Sequence, residues 1–186
     1  MINKEILDEL SKKGNLLHAV SNLDVKLVSV EGNTLYQLLK HVVPSILQQI
    51  DDDHQVMNET LKQGSKYIYF HYINKIGLEF LATGVWYNSE YIGLLVLGPF
   101  LSSIPSNEFI SDLISQHKLP VSERKQLNEY YKSLLIMGSN KSTYMGDLLV
   151  NICNHSYIES QLVSPKVYQP SPNKRIEVFM LWKIKT

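Results

Sequence analysis

The stretch from Lys66 to Phe100 constrains the fold of this chain more than any other. Its sequence, KYIYFHYINKIGLEFLATGVWYNSEYIGLLVLGPF, is rich in aromatic and β-branched residues, which favour buried strands. Asn74-Lys75 and Asn88-Ser89 interrupt it, and Asn tolerates the positive φ that tight hairpin turns require. We therefore predict a three-stranded antiparallel meander with strands at 67–73, 76–86 and 91–99.

Two-residue turns would sort the side chains of this meander onto two faces, because alternate residues of a strand point to opposite sides. One predicted face is nearly all aliphatic or aromatic, which is typical of plain core. The other face mixes aromatic residues with polar groups and two glycines that leave space, so we predict that it forms the wall of a small-molecule pocket. The predicted ligand-binding residues on that wall are Tyr69, His71, Trp86 and Tyr91. A shift of one residue in either turn would re-sort both faces.

The composition excludes several classes of protein. With 186 residues, 44% of them hydrophobic and 19% charged, the chain can form one globular domain with a full core. The formal net charge is +0 and no basic cluster is present, so we expect no direct binding of nucleic acid. No run approaches the roughly 18 apolar residues of a membrane span. A single cysteine and the absence of a signal-peptide pattern favour a cytoplasmic location.

The segments before the meander predict helices and a hairpin. Residues 2–13 have apolar side chains at helical spacing, and Gly14-Asn15 is expected to end that helix. Residues 24–30 alternate, a turn is expected at Glu31-Gly32-Asn33, and residues 34–38 form the return strand, so a hairpin is predicted. From residue 41 to 64 the period becomes helical, and three consecutive aspartates at 51–53 are expected to start a new helix.

The segments after the meander predict three more helices, the first with Ser106 as its N-cap, the second with Ser122 as its N-cap, and the third starting near Asn140. Residues 161–186 contain prolines and read as a linker and tail. We thus expect a single domain over 1–160. Its fold class is α+β: an antiparallel sheet of about five strands flanked by helices, with a helical C-terminal part. The first hairpin should lie beside the last strand, as in PAS-type and GAF-type sensor domains.

The run YFHYINKIGLEFLATGVWYNSEYIGLLVLGPFLSSIPSNEFI, with LPVSERKQLNEYYKSL and MGDLLVNI after it, resembles the N-terminal sensor region of AraC-type transcription regulators of Gram-positive bacteria. The resemblance covers roughly residues 15–165. It implies a PAS/GAF-like sensor, which in those regulators precedes a helix-turn-helix DNA-binding domain. No such unit follows residue 170, which is compatible with an excised sensor, a truncated regulator or a stand-alone homologue.

The chemically reactive residues favour binding over catalysis. His71 and His54 could contact a ligand or titrate near neutrality, or could simply be hydrogen-bonded parts of the structure. Glu79 lies within an apolar strand and is expected to form a structural ion pair rather than act as a general base. Cys153 and His155 have no second ligand pair at zinc-like spacing. We therefore predict no catalytic residue, no metal and no cofactor.

Two functions are compatible with these observations. The first is a ligand-sensing regulatory domain of an AraC-type regulator, which binds a small molecule between sheet and helices and transmits its state through helix packing or homodimerisation. The second is a ligand-free protein-interaction or dimerisation module that acts through the helices of residues 106–153.

Overall fold

The computed structural model describes residues 4–48, 54–64 and 67–154 of the chain. The predicted linker and tail, 161–186, lie outside this part. The strands are β1 (Val25–Ser29), β2 (Thr34–Leu38), β3 (Tyr69–Ile73), β4 (Glu79–Tyr87), β5 (Glu90–Leu101) and β6 (Leu135–Ile136). The helices are α1 (Lys4–Ser21), α2 (Ser45–Gln48), α3 (His54–Gln63), α4 (Asn107–Gln116), α5 (Arg124–Ser133) and α6 (Ser139–Asn154).

The predicted α+β class is confirmed. Five strands form an antiparallel sheet in the order β2-β1-β5-β4-β3, flanked by helices and followed by a helical C-terminal part. The first hairpin lies beside the last strand of the meander, with Val25 opposite Leu97 and Ser29 opposite Gly93. A sixth strand, β6, was not predicted, and its two residues pair parallel with the end of β5.

The first helix is longer than predicted. Gly14 was expected to end a helix at residue 13, but α1 continues through it to Ser21. A Cβ at Gly14 would lie 2.7 Å from Cε1 of Tyr36 in β2, so this glycine allows close packing of helix on strand. The hydroxyl of Tyr36 also donates to Oδ1 of Asn15, at 3.1 Å. The Gly-Asn pair therefore marks a helix–strand contact and not a helix end.

The turn between β3 and β4 also differs from the prediction. In place of a two-residue turn at Asn74-Lys75, a longer loop runs from Asn74 to Leu78. The side-chain Oδ1 of Asn74 accepts from the backbone N–H groups of Ile76 and Leu78, at 3.2 and 2.9 Å. Gly77 has a φ of +74°, which suits glycine. The loop brings Ile73 opposite Glu79 and so re-sorts the side chains of β3 relative to β4.

The predicted turn between β4 and β5 is confirmed. Asn88 and Ser89 have φ values of 47° and 64°, as a two-residue hairpin of the type I′ kind requires. The pairing register shifts between Val85 and Trp86, so that Trp86 lies opposite Tyr91 while Val85 lies opposite Gly93. A Cβ at Gly93 would lie 2.2 Å from the carbonyl oxygen of Val28, which explains why glycine occupies this point of close approach to β1.

Helices cover both faces of the sheet. One face, here called the α1–α6 face, packs against α1 and α6, and its core includes Leu81, Leu95 and Phe100. The opposite face, here called the α3 face, packs against α3, and its core includes Ala82, Leu94 and Val96. Adjacent residues of β4 and of β5 thus belong to different cores, as the alternation of a strand requires.

The helices α4 and α5 form a third core with the β3–β4 loop. The Ser106 side chain caps α4 by accepting from the N–H of Phe109, at 3.1 Å, as predicted. The predicted cap at Ser122 is wrong, because a 3₁₀ turn over Val121–Glu123 precedes α5. Tyr131 of α5 is fully buried and its hydroxyl donates to the carbonyl of Ile76.

Candidate functional site

The four predicted ligand-binding residues do not share one wall. Tyr69 packs with the core of the α1–α6 face, and His71 stacks on Phe100 of the same core with ring centroids 5.5 Å apart. Trp86 and Tyr91 belong to the core of the α3 face. The predicted single wall is therefore wrong, and the physical reason is the longer β3–β4 loop, which changes the register of β3 against β4.

On the α1–α6 face, Tyr69 is closed off by helix α6. A Cβ added to Gly146 of α6 would lie 2.4 Å from both Cε2 and Cζ of the Tyr69 ring. The glycine therefore lets the helix backbone rest directly on the tyrosine. No room for a ligand is left between this ring and the helix.

His71 and Glu79 form a pair on the same face. Nε2 of His71 lies 2.7 Å from Oε2 of Glu79, and the N–H of Ser102 donates to Oε1 at 2.6 Å. Burial raises the pKa of the Glu79 carboxyl, but the hydrogen bonds from His71 and Ser102 outweigh that effect and leave the pKa below its usual value. The geometry gives Glu79 the buried partners that were expected, a histidine ring and a backbone N–H, and the contact with His71 is an ion pair when the imidazole is protonated. It ties β3, β4 and the segment after β5 together.

On the α3 face, a short chain of hydrogen bonds connects the sheet with the helix. The hydroxyl of Tyr91 donates to Oδ1 of Asn58 at 2.7 Å, and Nδ2 of Asn58 donates to the carbonyl of Ser29 at 2.9 Å. Tyr91 and Asn58 are both buried, and burial raises the pKa of the Tyr91 hydroxyl. Asn58 was not predicted as a functional residue, although it lies within the segment 41–64 for which helical spacing was predicted.

Trp86 differs from these residues because its polar atom is unpaired. The indole packs edge-on against Tyr91, with ring centroids 5.1 Å apart. Nε1 of Trp86 is buried and has no hydrogen-bond partner among the residues that the structure describes. An indole N–H is a donor only, and a buried donor without an acceptor costs about 1–3 kcal/mol. This donor packs against the strand itself, since a Cβ added to Gly84 would lie 2.9 Å from Nε1 of Trp86.

A recess of about 210 Å³ opens beside α3. Its described lining residues are Val30, Asn58, Glu59 and Lys62, so it adjoins the hydrogen-bonded pair of Asn58 and Tyr91. This volume lies below the roughly 300–1,000 Å³ usual for drug-sized ligands. It exceeds the roughly 150 Å³ of an engineered protein cavity that binds benzene. The recess is therefore of the size of a small molecule, such as one with a single ring.

A smaller recess of about 110 Å³ lies on the α1–α6 face, between α1, the end of α6 and the β4–β5 hairpin. Lys13 and Glu9, which form an ion pair of 3.0 Å, are among its lining residues. Asn154 also lines it, and both polar atoms of its amide are buried without a partner within the described ranges. Of the four predicted ligand-binding residues, Trp86 lines this recess, whereas Tyr69, His71 and Tyr91 do not.

The described residues contain no cluster of three or more His, Cys, Asp or Glu side chains that could hold a metal ion. Cys153 is buried, and burial raises the pKa of its thiol to about 12, so it is a poor nucleophile at neutral pH. The three aspartates at 51–53 and His155 lie outside the described part of the chain, as does the side chain of His54.

Comparisons with protein families, with curated proteins and with solved structures found no match to this chain. Among the described helices, none combines the length and the apolar character that crossing a membrane requires. The function is therefore argued from the geometry of the two faces.

Proposed function

We propose that this chain is a ligand-sensing regulatory domain whose small-molecule site lies between the sheet and α3. The observation that carries the proposal is the buried N–H of Trp86, which has no acceptor among the described residues and lies in the core of the face that α3 covers. A recess on the same face, lined by Val30, Asn58, Glu59 and Lys62 but not by Trp86, is open to a small molecule. The strand order supports the same interpretation. The first hairpin lies beside the last strand, which is the layout expected of a PAS/GAF-like sensor.

In this proposal α3 carries the signal. Asn58 connects α3 to both β5 and the end of β1, through Tyr91 and the carbonyl of Ser29. A ligand that entered between helix and sheet would favour one arrangement of α3 over another and so shift the population between two states. We propose that the domain acts in the cytoplasm as part of an AraC-type regulator. In this proposal it catalyses no reaction and does not contact nucleic acid directly.

A thermal-shift screen of the purified chain against a metabolite library tests this proposal. A ligand at a hundredfold excess over its Kd stabilises the native state by about 2.7 kcal/mol. We expect hits that raise the melting temperature of the wild type and of Tyr69→Phe, a control on the α1–α6 face, but not of Trp86→Ala. Hits that persist in Trp86→Ala would show that the ligand binds elsewhere and would refute the proposed site.

The second candidate, a protein-interaction or homodimerisation module, is favoured by a different observation. Several large apolar side chains of the C-terminal helical part are exposed, including Ile104 (76%), Val121 (73%) and Tyr144 (75%). Exposed apolar side chains such as these are available for contact with a partner. Sedimentation equilibrium of the wild type and of Val121→Ser/Tyr144→Ser would test it, since a dimer that uses these residues should dissociate in the double variant.

A further inference from the structure

The recess of about 110 Å³ on the α1–α6 face contains a second set of polar groups. It lies between α1, the end of α6 and the β4–β5 hairpin, beside the core of the α1–α6 face. Its occupant is therefore independent of the site proposed beside α3. The hydrogen-bonding groups, the charge and the size of the recess together indicate which class of molecule it binds.

The strongest indication is the side-chain amide of Asn154, the last residue of α6. Asn154 lines the recess, and both Oδ1 and Nδ2 are shielded from bulk water without a hydrogen-bond partner among the described residues. The terminal torsion of an asparagine side chain is soft, so the amide can turn toward a molecule in the recess. Because Oδ1 accepts and Nδ2 donates, a molecule that satisfies both must carry a donor beside an acceptor.

The charged side chains that line the recess compensate each other. Glu9 and Lys13 form an ion pair of 3.0 Å, and the Lys13 side chain is only 10% exposed. An ion of either sign would add an uncompensated charge next to this pair, and burying such a charge is unfavourable. Cys153 adds no charge, because burial raises the pKa of its thiol to about 12. A neutral molecule is therefore favoured over an ionised one.

The size of the recess and its apolar wall limit the rest of the molecule. Its volume lies below the roughly 150 Å³ of an engineered cavity that binds benzene. The apolar side chains that line it are Ile6, Leu10, Val85 and Ile92, which favour a short hydrocarbon part. We infer that the recess binds a small, neutral carboxamide or lactam, whose N–H and carbonyl groups pair with the two polar atoms of Asn154.

Three isosteric probes test this inference. Propanamide, 2-butanone and propanoate share one skeleton and differ in a single group, which is NH₂, CH₃ or O⁻. Propanamide offers a donor and an acceptor, 2-butanone offers only an acceptor, and propanoate offers acceptors with a negative charge. Each is titrated into the ¹⁵N-labelled full chain, in which the side-chain NH₂ of Asn154 and the backbone N–H groups of Lys13 and Ile92 report on the recess.

Propanamide should bind the wild type best and shift the side-chain NH₂ signals of Asn154. 2-Butanone should bind about threefold to tenfold more weakly, which is the effect of losing one neutral hydrogen bond. Propanoate should bind more weakly than 2-butanone, because it lacks the donor and also adds a charge beside the Glu9–Lys13 pair.

Two substitutions on α6 test the role of the amide. In Asn154→Leu, an apolar group of similar shape replaces the amide, so propanamide and 2-butanone should bind equally. This variant should fold, because replacing an unsatisfied buried polar group by an apolar one removes an unfavourable term. Asn151→Leu is the matched control, since Asn151 is exposed and does not line the recess. The preference for propanamide should persist in the control.

Three results would overturn the inference. If propanamide and 2-butanone bind equally to the wild type, or if the preference survives in Asn154→Leu, the amide of Asn154 does not select the ligand. If none of the probes moves the signals of the recess, water alone occupies it. If the probes move only the amides of α3, they bind at the site proposed there, which would stand while this second site fails.

Discussion

The two faces of the sheet are built from the same strands but are closed in different ways. On the α1–α6 face two long helices rest on the strands, Gly146 lets α6 contact the Tyr69 ring, and the Glu79 carboxylate has partners for both oxygens. On the α3 face one ten-residue helix covers the sheet, and the Trp86 indole N–H has no acceptor among the residues that the structure describes. Burial alone therefore does not identify a site. The four predicted residues are all at least partly buried, but of these four only Trp86 has a buried polar atom without a hydrogen-bond partner in the described part of the chain.

The largest expected effect comes from matched truncations on the two faces. Leu95 and Leu94 are adjacent in β5, are exposed by 1% and 0%, and point to the α1–α6 face and the α3 face. Truncating a buried leucine to alanine costs about 2–5 kcal/mol, and the cost depends on how far the surroundings can collapse. We expect Leu95→Ala to lose more unfolding free energy than Leu94→Ala in urea titrations. An equal or larger loss for Leu94→Ala would contradict the expectation that α3 moves to fill a cavity more readily than α1 and α6 do.

The next effect concerns the pH dependence of the α1–α6 face. Because the folded-state pKa of Glu79 is lowered, its carboxylate stabilises the fold above the unfolded pKa of about 4.3, and this contribution is lost as the pH falls through the folded pKa. We expect Glu79→Gln to lose about 2 kcal/mol at neutral pH, the usual scale of hydrogen bonds to a charged group.

Urea unfolding of wild type and Glu79→Gln, repeated down to about pH 3, checks this expectation. The difference in unfolding free energy should shrink as the pH falls below about 4. A difference that stays constant over this range would show that the charge of Glu79 contributes nothing to stability.

A smaller effect should come from Gly146→Ala. Alanine favours helices over glycine by about 1 kcal/mol, but the added Cβ would lie 2.4 Å from the Tyr69 ring, and overpacking costs about 1–3 kcal/mol. We expect a net loss of about 1–2 kcal/mol by chemical denaturation. Gly138→Ala is the matched control, since nothing lies within 4 Å of its Cβ. If Gly146→Ala is as stable as that control, α6 does not rest tightly on β3.

The smallest effect is expected at the connection between α3 and the sheet. Tyr91→Phe removes the hydroxyl that donates to Asn58 at 2.7 Å and should cost about 1 kcal/mol. A double-mutant cycle with Asn58→Ala measures the coupling between the two side chains. A coupling energy near zero would mean that Asn58 does not transmit changes of α3 to β5.

Sequence reasoning predicted the elements better than their register. The hairpin β1–β2 and the Asn88-Ser89 turn followed from short-range patterns, because alternation and the tolerance of Asn for positive φ are local properties. The prediction of a two-residue turn between β3 and β4 was wrong. The side chain of Asn74 accepts hydrogen bonds from two backbone N–H groups and so stabilises a longer turn. Because of the register that this loop sets, Tyr69 and His71 lie on the opposite face of the sheet from the core that contains Trp86 and Tyr91.

The candidate site was predictable only in part. Trp86 and Tyr91 were selected as aromatic residues with polar ends, and both lie on the α3 face. Asn58 was missed because its role depends on contacts with Tyr91 and Ser29, which are distant in sequence. Gly14 was misread for the same reason, since the strand that it contacts lies in the following hairpin.

The central strand β5 has consequences for the kinetics of folding. Its pairing with β4 needs only a two-residue turn, so this hairpin can form early and locally. Its pairing with β1 requires closure of a loop that contains β2, α2, α3, β3 and β4, and such non-local contacts slow folding. The docking of β1 onto β5 is therefore expected to limit the folding rate, and substitutions in β1 should change that rate more than those in the β4–β5 turn.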